Sequence, residues 1–283
     1  MTVSAAKVAR RHAGNAVFTV FCWAVTAIAL VALAAILWSL VSKGIGGVNL
    51  DVFTRSTPAP GSRGGLANAI VGSMAMCGMA MVIAVALGVL AGTWLAEYGA
   101  GSRLAAVVRF INDVLLSAPS ILVGLFVYEI LVAPLGGFSG FAGAVALALL
   151  AAPVITRSTE DVLRLQPTTL REAGVGLGAP LSLVIRAILW RAARSGLLTA
   201  GLLAFARISG ETAPLLFTAL NNQFFSLDPT KPTANLPVVI FNYALSAYDD
   251  WRRLAWVGAL LIAASVLGVT IAARALAQES RRS

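Results

Sequence analysis

The sequence predicts an all-α membrane protein with six transmembrane helices. Hydrophobic residues make up 59% of the chain and charged residues only 12%, whereas soluble domains carry about 25% charged residues. Several apolar runs reach the roughly 20 residues that a helix needs to cross a bilayer. These runs are continuously apolar, while the strands of a membrane β-barrel alternate over about ten residues. Helices therefore account for the pattern better than strands do.

Six apolar runs are the predicted spans, and polar segments separate them. The first run is longer than the apolar core of a signal peptide, about 7–15 residues, so we expect it to remain in the membrane. The third run is interrupted by Asn112, Asp113 and Pro119, and the fourth contains Pro153. The runs cover about residues 18–41, 66–95, 106–132, 138–156, 196–220 and 254–273. The chain accordingly divides into an N-terminal arm (1–17), a transmembrane domain (18–274) and a C-terminal tail (275–283).

The distribution of basic residues predicts the orientation. With six spans, both termini lie on the same side of the membrane. If that side is the cytoplasm, the inner segments hold fourteen basic residues and the outer segments six. Because cytoplasmic loops are enriched in Lys and Arg, we expect both termini to be cytoplasmic.

The polar composition argues against several kinds of function. The net charge is +9, but the basic residues lie between apolar runs rather than on one face, so no nucleic-acid binding is predicted. Cys22 and Cys77 both lie within apolar runs and are interpreted as apolar packing residues. His12 is the only histidine and cannot form a metal cluster alone. We predict neither a catalytic nor a metal site.

The chain also lacks the sequence that binds ATP in many enzymes. A P-loop requires a lysine directly after a glycine, where the lysine and the backbone amides hold the phosphates. None of the three lysines follows a glycine. We therefore expect no ATP, Mg²⁺ or other cofactor to bind to this chain.

The most informative polar segment lies between the fourth and fifth runs. Residues 167–194 read PTTLREAGVGLGAPLSLVIRAILWRAAR. Pro167 can begin a helix, and Gly174, Gly176 and Gly178 are expected to break it into a turn. A second amphipathic helix would follow, all on the cytoplasmic side. Small residues at such a turn would allow another protein to approach closely.

This segment resembles the cytoplasmic loop of permeases from ABC importers. In that family the loop contains Glu-Ala-Ala, three residues, and then Gly. The sequence departs from the pattern at Gly174, where the family usually has Ala. The resemblance implies that a partner ATPase docks on a coupling helix within a loop at about residues 167–185. The residues assigned to this coupling role are Arg171, Glu172, Ala173, Gly174 and Gly178.

A second informative stretch, FARISGETAPLLFTALNNQFF, begins at Phe205. Arg207 and Glu211 are four residues apart, which would place both charges on one face of a helix. Gly210 and Pro214 are expected to bend that helix. Ionisable groups in a membrane usually pair or face an interior cavity. Two interpretations stay open: the two residues form a structural ion pair, or they line the translocation pathway, with Arg207 contacting the substrate.

This stretch is similar to the fifth span of phosphate-specific permeases of the PstA type. LLSAPSILVGLF at 115–126 and ANLPVVIFNYA at 234–244 match the same family. The resemblance extends from about Asn112 to Trp256. It implies the type I ABC importer permease fold with a cytoplasmic coupling helix, in a bacterial cell membrane.

The resemblance also implies partners. Such permeases pair with a second permease (PstC-like) and with two copies of a cytoplasmic ATPase (PstB-like), which bind ATP and Mg²⁺. An external phosphate-binding protein (PstS-like) delivers inorganic phosphate. The chain itself would be a transport subunit surrounded by membrane lipid, and not an enzyme.

The competing interpretation is a secondary transporter driven by protons or sodium. Such a transporter needs intramembrane carboxylates or broken helices in matching halves of the chain. Glu211 and Asp113 are the candidate carboxylates, and no clear internal repeat accompanies them.

Overall fold

The structure, a computed structural model, describes the backbone of residues 5–279 and the side chains of residues 11–275. Within these residues the chain is helical and contains no strand, so the predicted all-α class is confirmed. Two short π-helical turns, Tyr128–Val132 and Ile185–Leu189, continue neighbouring helices. The helices are α1 Ala5–Gly44, α2 Leu50–Thr54, α3 Ala67–Glu97, α4 Arg103–Ser117, α5 Ser120–Val127, α6 Ala133–Leu135, α7 Gly140–Arg164, α8 Thr168–Gly176, α9 Leu181–Val184, α10 Trp190–Ala192, α11 Arg194–Ile208, α12 Ala213–Thr218, α13 Leu236–Ala244 and α14 Asp249–Glu279.

The predicted count of six transmembrane helices is not confirmed. Among the described residues, four helices are long and apolar enough to cross a membrane: Arg11–Gly47, Ala67–Glu97, Gly140–Arg164 and Asp249–Ala275. A fifth span exists if the segments Arg103–Ser117 and Ser120–Leu135, bent by 107°, are counted as one. The remaining predicted span, 196–220, is divided between α11 and α12.

Proline residues explain both interruptions. Pro119 follows Ala118, whose backbone is extended at φ −67° and ψ 135°, because a residue before proline disfavours the helical region. In the other predicted span, α11 ends at Ile208 and α12 begins at Ala213 with Pro214 in its first turn. A proline lacks the amide that a continuous helix requires but is tolerated where a helix starts.

Helices α3 and α7 run parallel and form the centre of the fold. Small residues repeat at every fourth position of α3, namely Ala80, Ala84, Gly88 and Gly92, and all are buried. A Cβ atom at Gly88 would lie 2.8 Å from the Cβ of Ile155, and one at Gly92 would lie 2.5 Å from the Thr156 carbonyl oxygen. Such contacts let helix backbones approach closely in a membrane. The C-terminal ends of α3 and α7 therefore lie side by side.

Helix α1 stands largely apart from this centre. The apolar part of α1 has none of its residues buried within the chain. Its contact with the rest of the fold is at its C-terminal end, where Gly44 lies against Leu260 of α14 and the Lys43 ammonium lies 4.8 Å from the Trp256 ring. An apolar helix without a buried face needs lipid or another membrane protein around it.

Most of the predicted N-terminal arm and C-terminal tail is helical and continues the neighbouring helices. Helix α1 already begins at Ala5, and α14 continues to Glu279. Residues 1–4 of the predicted arm and 280–283 of the predicted tail lie outside the described residues.

Candidate coupling surface and intramembrane charges

The predicted coupling segment forms a short helix followed by a tight turn. Helix α8 begins after Pro167 and continues to Gly176, so the prediction that Gly174 and Gly176 break the helix is wrong. The turn lies at Gly178, whose φ is +82°. Glycine adopts this left-handed conformation without the steric cost of a Cβ atom. Gly174 and Gly176 therefore remain helical, and Gly178 makes the turn.

Arg171 points into the fold rather than toward the exposed edge of α8. Its Nε donates to Glu97 Oε2 at 2.8 Å, and its Nη2 donates to Glu97 Oε1 at 2.6 Å. Further donations reach the carbonyl oxygens of Leu163, at 2.8 Å, and Gln166, at 3.0 Å. The last carbonyls of a helix lack partners within that helix and favour a cation, so Arg171 also caps the end of α7. The hydrogen bond to Glu97 raises the pKa of Arg171 above its ordinary value.

Gly174 lies on the inner side of α8 as well. It is buried, and a Cβ atom there would lie 2.7 Å from Val184 Cγ2 and 3.2 Å from Ile188 Cδ1. The departure from the usual alanine therefore has a physical reason. It allows α8 to pack directly against the helix that follows the turn.

The other three predicted coupling residues form an exposed edge. Glu172, Ala173 and Gly178 are all exposed. Leu177, next to the turn, has 89% of its surface exposed. We call Glu172, Ala173, Val175, Leu177 and Gly178 the coupling edge. The five residues grouped from the sequence thus separate into an inner pair, Arg171 and Gly174, and three residues on this edge.

The structure adds a buried charge cluster that the sequence analysis missed. The Glu160 side chain is 2% exposed. Arg109 Nε donates to Glu160 Oε1 at 2.8 Å, and Arg164 Nη2 forms an ion pair with the same oxygen at 2.8 Å. Arg109 also donates to the Leu95 carbonyl near the end of α3, at 3.3 Å. The spacing of Glu160 and Arg164 on one helix was a visible signal. The approach of Arg109 from α4 had no signal in the sequence.

Arg207 and Glu211 do not form the predicted helical pair. Helix α11 ends at Ile208, so the four-residue spacing no longer places both side chains on one helix face. Among the described side chains, Arg207 makes neither a hydrogen bond nor an ion pair, and it is exposed. With a rise of about 1.5 Å per residue, Arg207 lies about 20 Å along α11 from Arg194.

Comparison with known proteins identifies the family. Residues 84–282 match the family described as "Binding-protein-dependent transport system inner membrane component". The chain is 54% identical over 271 residues to the "Phosphate transport system permease protein PstA" of Yersinia pestis, covering 95% of this chain and 92% of the relative. The protein of the same name from Haemophilus influenzae is 54% identical over 246 residues, 87% of each chain. A "Probable phosphate transport system permease protein PstA" from Methanocaldococcus jannaschii is 33% identical over 259 residues, 91% of this chain and 92% of the relative.

A solved structure supports the fold. The inward-facing MetNI methionine ABC transporter contains a chain that matches with a TM-score of 0.62 at 20% identity, covering 75% of this chain and 96% of that one. The importer permease fold expected from the sequence is confirmed. The resemblance to PstA-type permeases is confirmed by the relatives. The chain therefore belongs to the family of binding-protein-dependent transport system inner membrane components and, within it, to the PstA permeases.

Proposed function

We propose that this chain is a membrane-spanning permease subunit of an ATP-driven importer of inorganic phosphate, and that the coupling edge of α8 docks on a cytoplasmic ATPase. The observation that carries the docking proposal is the exposure of Leu177 beside the turn at Gly178. Leu177, which is 89% exposed, lies beside another exposed apolar residue, Val175, outside the predicted spans, and this exposure supports a contact with another protein. The high sequence identity to phosphate permeases over nearly the whole chain supports inorganic phosphate as the substrate.

The inner side of α8 supports the same proposal. Arg171 and Gly174 hold the helix to the body of the permease, as described above, and leave the coupling edge free. A docking helix needs such a fixed orientation, because ordering a flexible segment on binding would reduce affinity. The coupling edge is therefore oriented for binding before a partner arrives.

Arg207 is the candidate residue for the anion pathway. Arg207 lies in the last turn of α11, just before the break that precedes α12, and its guanidinium has no carboxylate partner in the described structure. An isolated charge in a membrane faces a cavity, water or another subunit, and a guanidinium suits phosphate oxygens. We propose that Arg207 faces the translocation pathway at the interface with a second permease. Glu211 lies beyond the end of α11 and is proposed to line the same pathway.

The partners and orientation follow from this proposal. A PstC-like permease would complete the channel, a PstB-like ATPase dimer would bind ATP and Mg²⁺, and a PstS-like protein would deliver phosphate from outside. Both termini would be cytoplasmic, on the same side as α8, in a bacterial cell membrane. A reporter fused after Ser283 tests this orientation, and activity of that fusion outside the cytoplasm would contradict it.

The interpretation as an ion-driven secondary transporter has less support. The relatives described above are permeases of phosphate transport systems, and the matched structure belongs to an ABC transporter. Co-purification separates the two functions directly. The permease should retain a cytoplasmic ATPase in detergent, and replacing Glu172 and Leu177 by alanine should release it. Stable transport activity from the chain without any ATPase would contradict the proposal.

A further inference from the structure

We propose that the Arg171–Glu97 ion pair is the linkage that transmits displacement of α8 to the transmembrane helix α3. This inference rests on the proposed function, because it requires that an ATPase moves α8. Arg171 would then act as a positioning residue within the permease and would not itself contact the ATPase.

The geometry shows a joint between three elements. Arg171 donates to both oxygens of Glu97, the last residue of α3, and to two carbonyls: that of Leu163 in the last turn of α7 and that of Gln166 just after it. Only 3% of the Glu97 side chain is exposed. Two parallel hydrogen bonds between a guanidinium and a carboxylate fix the relative orientation of both groups as well as their distance. A movement of α8 therefore acts directly on the end of α3.

Arg171 is also the polar connection of α8 to these helices. Among the described residues, every side-chain hydrogen bond from α8 to the rest of the chain comes from Arg171. The other inner residue, Gly174, packs against Val184, which belongs to the helix after the turn and not to α3. The direct polar link from α8 to α3 is therefore this one guanidinium. Indirect contacts also exist: Leu170 of α8 packs against the apolar cluster around Leu163 and Leu189, and Trp190, after the turn, donates from Nε1 to Thr93 Oγ1 of α3 at 3.2 Å.

Helix α3 can carry such a displacement further because it is rigidly joined to α7. The contacts of Gly88 and Gly92 leave no space between the two backbones, and close-packed helices move as units rather than deforming continuously. Near the other end of α3, Ser73 Oγ accepts from the amide of Leu236, the first residue of α13, at 2.8 Å. The ion pair at the C-terminal end of α3 is therefore connected through a packed helix to α13 near the other end.

The test compares two buried glutamates in the assembled transporter. Glu97→Gln removes the charge that holds Arg171. Glu160→Gln is the matched control, because Glu160 is equally buried and also binds arginines but makes no hydrogen bond to α8. For each complex in proteoliposomes, three quantities are measured: the ATPase retained on purification, ATP hydrolysis, and phosphate moved per ATP hydrolysed.

We expect Glu97→Gln to retain the ATPase while phosphate moved per ATP falls by about fivefold or more, the lower end of common coupling strengths between sites. Glu160→Gln should lower the yield of complex without changing that ratio. A normal ratio in Glu97→Gln would overturn the proposal. The proposal would also be overturned if Glu97→Gln and Glu160→Gln lost complex yield and transport in equal proportion. That result would mean that both glutamates only stabilise the structure.

A second variant covers the case in which Glu97→Gln does not assemble. Arg171→Lys keeps the charge but loses the paired hydrogen bonds, so the ratio should fall by a smaller amount with the ATPase retained. An unchanged ratio in Arg171→Lys would contradict the linkage. A wild-type complex that hydrolyses ATP but moves another anion would revise the proposed substrate, and the ratio for that anion would still test the linkage.

Discussion

Arg171 and Glu97 are joined by hydrogen bonds of 2.6 and 2.8 Å although 74 positions separate them in the chain. Their contact fixes α8 against the ends of α3 and α7 and turns the opposite edge of α8 outward. This arrangement divides the coupling segment into an inner side that belongs to the permease and an outer edge that is available to a partner.

The turn after α8 should tolerate only glycine at its central position. Gly178 has φ +82° and no neighbour within 4 Å of an added Cβ, so an alanine there meets backbone strain and no clash. That strain costs about 1–2 kcal/mol. Gly178→Ala should therefore reduce ATPase retention, and Gly178→Asp should reduce it further by adding charge at the coupling edge.

Gly176→Ala is the matched control for that experiment. Gly176 is also open on its Cβ side but lies within α8, where alanine is favourable. Its complex should retain the ATPase as the wild type does. Equal retention in Gly178→Asp and Gly176→Ala would show that the turn is not a docking element.

The packing of α8 against the following helix gives a second prediction. Gly174→Ala places a methyl group 2.7 Å from Val184 Cγ2, which forces the two helices apart. We expect this variant to lower the melting temperature of the complex, because overpacking costs about 1–3 kcal/mol. Adding Val184→Ala should restore part of the loss by making space. Strictly additive losses in the double variant would rule out this contact as the cause.

The buried cluster at Glu160 should contribute more to stability than a neighbouring surface pair. Removing Glu160 deprives Arg109 of its hydrogen-bond acceptor and Arg164 of its ion-pair partner, and hydrogen bonds to charged groups contribute about 1.5–3 kcal/mol. Asp161 pairs with Arg157, and both side chains are about half exposed; such pairs contribute at most about 1 kcal/mol. In detergent, the melting temperature of Glu160→Ala should be well below that of Asp161→Ala. The reverse order would contradict the assignment of the cluster as a structural element.

How much of this site could be predicted from the sequence depends on distance along the chain. The apolar runs predicted α1, α3, α7 and α14, because an apolar run of sufficient length has few alternatives to a membrane helix. The position of α8 followed from its local pattern. The contact between Arg171 and Glu97 could not be predicted in this way, because Glu97 lies at the end of a helix that is distant in the sequence. The breaks at Pro119 and Pro214 were visible as residues, but the size of a bend depends on how neighbouring helices pack.

The absence of an ion pair at Arg207 among the described residues predicts how variants at this position affect assembly and transport. Because Arg207 and Glu211 form no ion pair in this structure, Arg207→Ala should assemble with its ATPase and fail to transport phosphate. Adding Glu211→Ala should not rescue it. Because no ion pair joins the two side chains, we expect nearly additive effects, with an interaction below about 0.5 kcal/mol. Rescue of assembly by the double variant would instead indicate that the two charges pair in the working transporter.

We propose that this chain carries phosphate at the expense of ATP that a partner hydrolyses. The most direct test measures phosphate accumulated in proteoliposomes that contain the complete complex, with ATP on the ATPase side and the binding protein on the other. We expect accumulation that requires ATP, the binding protein and this chain, and that falls sharply in Arg207→Ala. Accumulation driven by a proton or sodium gradient in the absence of ATP would contradict it.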